Sequence, residues 1–231
     1  MPSFNIIREV EAKDTFRVKS VIGAFDLQTK KIKEHFQGNI DIENKKWNIG
    51  LIVGSSGSGK STIAKECFDE YFIDGFSYSH NSVIDDMPKN NTQKQITKCF
   101  TSVGFASPPS WLKPYSVLSN GEKMRVDLAR AILEKKEIVC FDEFTSVVNR
   151  EVAKTGSYAI SKAVKKLDKK FIAVSCHYDI KEWLEPDWIY DTDKKEFFFV
   201  QIKSKDLKSQ LKLNNIQTNL GCGIFLKSIT I

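Results

Sequence analysis

The sequence predicts an α/β fold: a mostly parallel sheet covered by helices in a three-layer core, with antiparallel strands at one side. Three short apolar runs with β-branched residues carry this prediction, at 51–53, 137–143 and 170–177, because such runs are typical of buried strands. Segments with helical spacing separate these runs. Strands that alternate with helices favour parallel pairing, since each helix returns the chain to the start of the next strand.

The elements of the first half are predicted in chain order. Residues 15–27 alternate in their first half and are expected to form a strand that enters the core, and residues 35–43 are expected to form another. Residues 47–53 are expected to form the strand before a glycine-rich loop, and residues 92–103 have helical spacing. Residues 104–117 contain three prolines, which restrict φ and remove backbone donors, so no helix is expected there.

The second half continues the alternation. A helix is predicted over 121–133 and a long amphipathic helix over 150–167, each followed by one of the apolar runs. Residues 188–202, WIYDTDKKEFFFVQI, have a polar turn between two strand-like segments. They are expected to form a hairpin.

Length and composition indicate one large domain over 1–200 with a lysine-rich C-terminal extension over 201–231. The extension has five lysines and one acid, which could contact nucleic acid but is commoner on a solvated surface. Of the 231 residues 41% are hydrophobic, and no apolar stretch is long enough to cross a bilayer. The N-terminus has no signal-peptide pattern.

The cysteines point to a reducing compartment. Five are scattered along the chain with no C-x-x-C pair, and several lie in apolar runs: Cys67, Cys99, Cys140, Cys176 and Cys222. This usage is typical of buried, reduced thiols in a cytoplasmic protein, and no metal site built on cysteine is expected.

The strongest local pattern is the run GSSGSGKS at 54–61, between a predicted strand and a segment with helical spacing. It matches G-x-x-x-x-G-K-[ST], the phosphate loop, in which glycines let backbone N–H groups approach phosphate oxygens. Lys60 is expected to reach the β- and γ-phosphates as a catalytic residue, and the Ser61 hydroxyl to ligate Mg²⁺. The predicted nucleotide contacts are Gly54, Ser55, Ser56, Gly57, Ser58, Gly59, Lys60, Ser61 and Thr62. A flexible Gly/Ser linker is the alternative, but a linker has no reason to lie between a strand and a helix.

Polar side chains end the next two predicted strands. Asp142 is expected to hold Mg²⁺ with Ser61, and Glu143 to polarise the attacking water. The alternative is a strand that simply ends at two surface carboxylates. The following strand ends at His177, on the sheet edge where open α/β sheets bind ligands, and a histidine there is either structural or a ligand contact.

The class of nucleotide-binding protein is indicated by residues 118–133, LSNGEKMRVDLARAIL, directly before the acidic strand. A helix that opens with Gly121 is a second anion site. One chain cannot easily bring this site to its own phosphate loop, because a helix of its own lies between, whereas a head-to-tail dimer can. The segment resembles the L-S-G-G-Q signature of ABC-type ATPases, followed as in that family by Arg125 and by the run ARA at 129–131. The order of phosphate loop, signature, acidic strand and histidine also resembles the family, over about half of the chain.

The resemblance to compact, soluble ABC-type ATPases implies a P-loop NTPase core with a reduced helical subdomain over about 85–135. It implies ATP and Mg²⁺ as cofactors and a head-to-tail homodimer around two Mg-ATP. Ser119 and Gly121 would contact the γ-phosphate of ATP held by the partner subunit. Glu143 would be the general base for hydrolysis of ATP to ADP and phosphate, and His177 would be the γ-phosphate sensor.

The resemblance also implies an aromatic residue that stacks on adenine and a further residue near the metal. Phe25 is the first candidate for the aromatic and Phe36 the second, and either could instead be a core residue. Asp86 is the first candidate for the metal contact of the family's Q-loop. Gln93 and Gln95 have the expected side chain but lie in a predicted helix.

Three positions depart from the family's pattern. Asn120 replaces the first signature glycine and Glu122 replaces the glutamine, although asparagine can still adopt left-handed backbone angles. Asn149 stands where the family has the D-loop aspartate, which weakens the expected coupling between the two ATP sites.

The work that hydrolysis would drive stays open. Lys60 and Ser119 are 59 positions apart, a shorter arm than transporter ATPases of this family usually have. The first interpretation is a cytoplasmic ATPase, without direct membrane insertion, that acts on a macromolecular partner, with nucleic acid as one candidate. The nucleotide-binding subunit of a transporter is the alternative. A nucleotide kinase is disfavoured, because the signature would have no role in it.

Overall fold

The computed structural model describes residues 2–11, 14–27, 31–134 and 137–200. Residues up to 198 fall in one compact unit. The extension predicted over 201–231, with Cys222 and the end of the predicted hairpin, lies outside the described residues. The boundary between a domain and an extension therefore stays a prediction.

Strands and helices alternate along the described chain. The strands are β1 (Ser3–Glu11), β2 (Lys31–Asn39), β3 (Ile49–Val53), β4 (Phe72–Ile73), β5 (Ile138–Phe141), β6 (Lys170–Ser175), β7 (Trp188–Asp191) and β8 (Glu196–Phe199). The helices are α1 (Phe16–Ala24), α2 (Lys60–Phe68), α3 (Gln93–Ser102), α4 (Pro108–Trp111), α5 (Asn120–Leu133), α6 (Arg150–Leu167) and α7 (Ile180–Leu184).

Six of the strands form one sheet in the order β4-β5-β6-β3-β7-β8. Strand β3 pairs in parallel with β6 and β7, and β5 pairs in parallel with β4 and β6. Strand β8 follows β7 through the short turn 192–195, a connection that antiparallel neighbours use. Strands β1 and β2 form a separate antiparallel pair. The predicted mostly parallel sheet with some antiparallel strands is confirmed.

The central strand β3 is buried along its whole length, as a strand covered on both faces must be. Ile49, Leu51 and Val53 belong to a core shared with apolar side chains of α3, α5 and α6. Ile52 points to the opposite face, because side chains alternate along a strand. Helix α2 contributes none of its buried residues to that core, which leaves the opposite face for it to cover.

The prediction of a strand over 15–27 is wrong, because this segment forms α1. Thr15 Oγ1 accepts a hydrogen bond from the N–H of Val18 at 3.3 Å and caps the helix. Helix α1 buries none of its side chains, and Phe16 is 86% exposed. Its apolar residues therefore lie on the surface, where their alternation carries no information about a core face. The sequence pattern also does not predict β1, which pairs with β2 from Ser3–Asn39 to Glu11–Lys31.

The helices predicted over 92–103, 121–133 and 150–167 are confirmed as α3, α5 and α6. The expectation that 104–117 contain no helix is wrong for a single turn, α4. Its prolines stand at the first helical positions, where the missing N–H has no intrahelical partner to lose.

The cysteines of the described part are free thiols: Cys67, Cys99, Cys140 and Cys176. Burial raises the pKa of Cys99 to about 11 and also raises the pKa of Cys140, so both stay protonated at neutral pH. The described residues contain no cluster of three His, Cys, Asp or Glu side chains that could hold a metal ion. No helix among them is both long enough and apolar enough to cross a bilayer.

The packing of β3 against β7 yields a stability prediction at Gly50. A Cβ there would lie 2.1 Å from Cζ2 of the fully buried Trp188, which has no room to move. Gly50→Ala is expected to lower the free energy of unfolding by about 3 kcal/mol through overpacking. Urea denaturation followed by fluorescence measures this.

The matched control is Gly23→Ala in α1, where a new Cβ meets nothing within 4 Å. That change is expected to raise the free energy of unfolding by about 0.5 kcal/mol, because alanine favours helix. Equal stability of the two variants would contradict the described pairing of β3 and β7.

Candidate functional site

The phosphate loop (54–61) leaves the end of β3 and runs into the first turn of α2. Gly57 and Gly59 have φ angles of +82° and +85°, a left-handed conformation that strains residues with a Cβ. Gly59 is also crowded, since a Cβ there would lie 2.4 Å from the ring of Phe36. The loop therefore depends on glycine to curve around the helix start, where free backbone N–H groups attract an anion.

A cavity of about 240 Å³, here named the loop cavity, opens beside the phosphate loop. Strands β1, β2 and β6 and the segment that follows β5 also line it. Its lining residues are Arg8, Glu34, Phe36, Ser56, Gly57, Gly59, Lys60, Ser61, Thr62, Asp142, Glu143, Val174, Ser175 and Cys176. The structure thus brings the predicted Lys60, Ser61, Asp142 and Glu143 together. The ammonium of Lys60 donates to the carbonyl oxygen of Ser55 at 2.6 Å, across the loop.

Ser61 and Asp142 meet although they lie far apart in the sequence. The hydroxyl of Ser61 donates a hydrogen bond to Oδ1 of Asp142 at 3.1 Å. Burial raises the pKa of Asp142, and the hydrogen bond from Ser61 opposes that shift. One hydroxyl and one carboxylate suit Mg²⁺, which prefers oxygen ligands and fills its remaining positions with water and substrate phosphates. These residues therefore fit the metal that the resemblance implies.

Glu143 lines the loop cavity from a turn with unusual backbone angles. Its φ is +51°, and Thr145 two residues later has φ of +68°. Between them the fully buried Phe144 anchors the turn, and its N–H donates to the carbonyl of Val174 at 2.9 Å. A strained backbone held by a buried anchor often marks a functional residue.

His177 follows β6 but does not line the loop cavity, whereas Ser175 and Cys176 do. Its N–H donates to Oγ of Ser175 at 3.2 Å. The residues just before His177 therefore line the loop cavity, and His177 itself does not.

Two other predicted residues, Phe25 and Asp86, lie apart from this set. Phe25 follows α1 and is 73% exposed. It lines neither the loop cavity nor a second cavity of about 450 Å³ beside it, whereas Phe36 lines both. Asp86 is buried and accepts hydrogen bonds from the N–H groups of Ser79 and His80 at 3.0 and 3.2 Å. Asp86 does not line the loop cavity that Ser61 and Asp142 line.

The predicted second anion site lies at the start of α5. Ser119 caps the helix: the N–H of Glu122 donates to its Oγ, and that hydroxyl donates to Oε2 of Glu122 at 2.8 Å. Asn120 is the first helical residue, so the left-handed angles allowed for it are not used. Neither Ser119 nor Gly121 lines the loop cavity of the same chain.

A half-buried carboxylate holds α5 in place. Asp127 accepts hydrogen bonds from the hydroxyls of Tyr78 at 2.6 Å and Tyr115 at 2.7 Å. The two rings stack with centroids 3.9 Å apart. Burial raises the pKa of Asp127, and both hydroxyls oppose the shift by stabilising the anion.

Asn149, at the position of the family's D-loop aspartate, caps α6. Its Oδ1 accepts from the N–H of Val152 at 2.9 Å. The next residue, Arg150, pairs with Asp179 just after His177. This substitution therefore keeps a helix-capping oxygen and removes a negative charge.

Asp193 is a residue of the site that sequence reasoning missed. It lies in the turn after β7, and its carboxylate accepts from the N–H and from the hydroxyl of Ser55, each at 2.7 Å. The hydroxyl of Tyr178 lies 2.9 Å from the same carboxylate. These hydrogen bonds lower the pKa of Asp193, with those from Ser55 contributing most. The carboxylate ties the phosphate loop to the segment after His177.

Comparison with known proteins gives a consistent result. A family model described as ABC transporter matches residues 71–146. The energy-coupling factor transporter ATP-binding protein EcfA1 of Mycoplasmopsis synoviae is 26% identical over 190 residues, which cover 65% of this chain and 70% of that protein. Elongation factor 3 of Zygosaccharomyces rouxii is 29% identical over 153 residues, which cover 56% of this chain but only 14% of its own length.

A solved structure has the same fold. The dimeric, post-hydrolysis state of the ATP-binding cassette MJ0796, bound to ADP and Pi, superposes with a TM-score of 0.60 at 14% identity. The superposition covers 86% of this chain and 98% of that one. The predicted P-loop fold is therefore confirmed, and the family model agrees with the resemblance to ABC-type ATPases over residues 71–146.

The contact between Asp193 and Ser55 yields a prediction about the loop itself. Asp193→Ala is expected to speed hydrogen exchange of the Ser55 amide at least about tenfold, because the amide loses its acceptor. NMR-detected exchange of the nucleotide-free protein measures this.

Tyr178→Phe serves as the control, since it removes the neighbouring hydroxyl and leaves both bonds to Ser55. Its Ser55 amide is expected to exchange at nearly the wild-type rate. Unchanged exchange in Asp193→Ala would show that the carboxylate does not restrain the loop.

Proposed function

We propose that the protein binds Mg-ATP in the loop cavity and hydrolyses it to ADP and phosphate as a head-to-tail dimer. The observation that supports this most directly is the convergence of Lys60 and Ser61 with the acidic pair that follows β5. One cavity thus combines a cation for phosphate, two oxygens for Mg²⁺ and a carboxylate base.

Binding rests on the phosphate loop. Its backbone N–H groups and the start of α2 hold the phosphates, and Lys60 neutralises the β- and γ-phosphates. Ser61 and Asp142 would hold Mg²⁺, which when bound would supply positive charge to offset that of the phosphates. The hydrogen bond between Ser61 and Asp142 supports this pairing, since it already sets the two oxygens side by side.

Hydrolysis needs a base at the γ-phosphate. Glu143 takes a proton from the attacking water as the new oxygen–phosphorus bond forms and the bond to the β–γ bridging oxygen breaks. ADP leaves with the bonding electron pair. His177 is proposed as the γ-phosphate sensor, which requires its ring to turn toward the cavity from its position after Cys176.

Adenine binding is assigned to a second cavity of about 450 Å³ next to the loop cavity. Phe36 lines both cavities, so its ring can stack on a base while the phosphates occupy the loop. Phe36 thereby replaces Phe25 as the proposed stacking residue.

The dimer follows from the position of the second anion site. Ser119 and Gly121 lie at the start of α5, outside their own chain's loop cavity. A second copy, placed head to tail, brings this helix start to the γ-phosphate, where its free N–H groups and dipole stabilise negative charge. The dimeric state of the related cassette supports this arrangement.

Two kinds of partner are proposed for the work of hydrolysis. Similarity to a transporter ATP-binding protein favours a membrane subunit, and similarity to an elongation factor favours a macromolecular partner, with nucleic acid as a candidate. Co-purification with a membrane-spanning protein would select the first. ATPase activity that DNA or RNA stimulates, with steep loss at higher salt, would select the second.

The base assignment predicts that Glu143→Gln traps the dimer. The amide cannot accept the proton of water, so bound ATP persists and holds the two copies together. Gel filtration with light scattering at saturating Mg-ATP is expected to show a stable dimer for this variant.

Glu70→Gln, at an exposed position of the same charge, is the matched control and is expected to turn ATP over without a trapped dimer. Adding Lys60→Ala to Glu143→Gln should return the trapped protein to a monomer, because ATP binding is lost. A monomeric Glu143→Gln variant in saturating Mg-ATP would refute the proposed sandwich.

A further inference from the structure

A groove of about 950 Å³ lies among α3, the single turn α4 and the C-terminal ends of α5 and α6. It is separate from the nucleotide site. Lys169 lines it just before β6 begins, whereas Ser175 and Cys176 at the other end of that strand line the loop cavity. At the rise of a strand, about 20 Å separates the two sites.

The floor of this groove, here named the lysine-rimmed groove, is apolar and partly open to solvent. Leu167 at the end of α6 is 43% exposed, and Leu133 at the end of α5 is half-buried. Trp111 of α4 forms one wall, held by its Nε1–H, which donates to the carbonyl of Phe105 at 2.9 Å. Exposed aliphatic and aromatic surface of this kind, with a polar rim, is typical of protein-binding sites.

The rim is positively charged. Lys94 and Lys98 stand one turn apart on α3, and Lys166 faces them from α6. No ion pair within the described residues neutralises these three lysines, and none of the residues lining the groove is acidic. A fourth lysine, Lys169, donates to the carbonyl of Ile132 at the end of α5 and so serves the fold.

We propose that the lysine-rimmed groove binds an acidic amphipathic helix of a partner protein. Its apolar stripe would cover Leu133 and Leu167, and its flanking carboxylates would pair with Lys94, Lys98 and Lys166. An aliphatic floor with one aromatic wall favours such a helix over a single strand of nucleic acid, whose bases stack on several aromatic side chains. The chain's own segment 201–231 is a poor occupant, because its net charge of +4 repels the rim.

Helix α5 connects the lysine-rimmed groove with the proposed nucleotide site. Helix α5 has its C-terminal end in the groove and its capped start at Ser119, where the proposed γ-phosphate contact lies. A helix of 14 residues spans about 20 Å. Docking itself needs no nucleotide, so it is tested separately from ATP hydrolysis.

The test uses a fluorescein-labelled helical peptide of about 18 residues, with leucines at i, i+3, i+4 and i+7 and glutamates on both flanks. Fluorescence anisotropy measures its affinity for the full chain. Lys94→Glu with Lys98→Glu is expected to weaken binding at least about tenfold, since two attractive charges become repulsive. Lys46→Glu with Lys181→Glu makes the same change in net charge at exposed sites elsewhere and should alter the affinity by less than about twofold.

The apolar half of the proposal has its own variant. Leu167→Gln removes exposed apolar surface without disturbing the core and is expected to weaken peptide binding by about threefold to tenfold at any salt concentration. A scrambled peptide of the same composition should bind at least about tenfold more weakly, because its leucines no longer form one face.

Three outcomes would overturn the proposal. These are equal binding of the ordered and scrambled peptides, equal loss in the two double lysine variants, and tighter binding of an oligo(dT) strand that Lys94→Glu with Lys98→Glu abolishes. The Lys60→Ala variant, which should lose ATP binding, is expected to keep the peptide affinity. Failure of the docking proposal is therefore distinguishable from failure of the ATPase assignment.

Discussion

Parallel pairing of β5, β6 and β3 is the constraint on which the site depends. The register sets Val53 beside Ser175 and Phe141 beside Ala173, so the three strands end at one edge of the sheet. The residues that follow them, the phosphate loop, Asp142 and the segment before His177, meet there although they are distant in sequence. Short backbone contacts, such as Phe144 N–H to Val174 O, hold the edge in shape. The chemistry comes from the residues, but their convergence comes from the sheet.

The proposed second anion site, at the start of α5, is not part of this edge of the sheet. Helix α5, capped by Ser119, is held by the half-buried carboxylate of Asp127. This carboxylate accepts hydrogen bonds from two tyrosines, Tyr78 and Tyr115, whose rings stack on each other. Because the cap does not reach its own loop cavity, a rigid α5 favours completion of the site by a second copy. The same rigidity lets the helix connect the nucleotide site with the lysine-rimmed groove at its other end.

The sequence predicts the parts of the site that phosphate chemistry dictates locally. Glycines, Lys60 and Ser61 must be consecutive to surround one anion, and a strand that ends in two acids is visible as a pattern. The role of Asp193 is not visible, because its partner Ser55 lies 138 positions away and a polar turn is typical of any hairpin. The proposal of Phe36 in place of Phe25 as the stacking residue depends in the same way on how β2 lies over Gly59. The prediction of a strand over 15–27 is wrong. Helix α1 buries none of its side chains, so its apolar residues do not mark a face that packs on the core.

The central claim is that two chains share each ATP, one through its phosphate loop and the other through the start of α5. A crystal structure with Mg²⁺ and a non-hydrolysable ATP analogue tests it most directly. The account predicts a symmetric pair in which Ser119 and Gly121 of one copy contact the γ-phosphate bound by Lys60 of the other. A single copy with the analogue bound and the start of α5 facing solvent would contradict it.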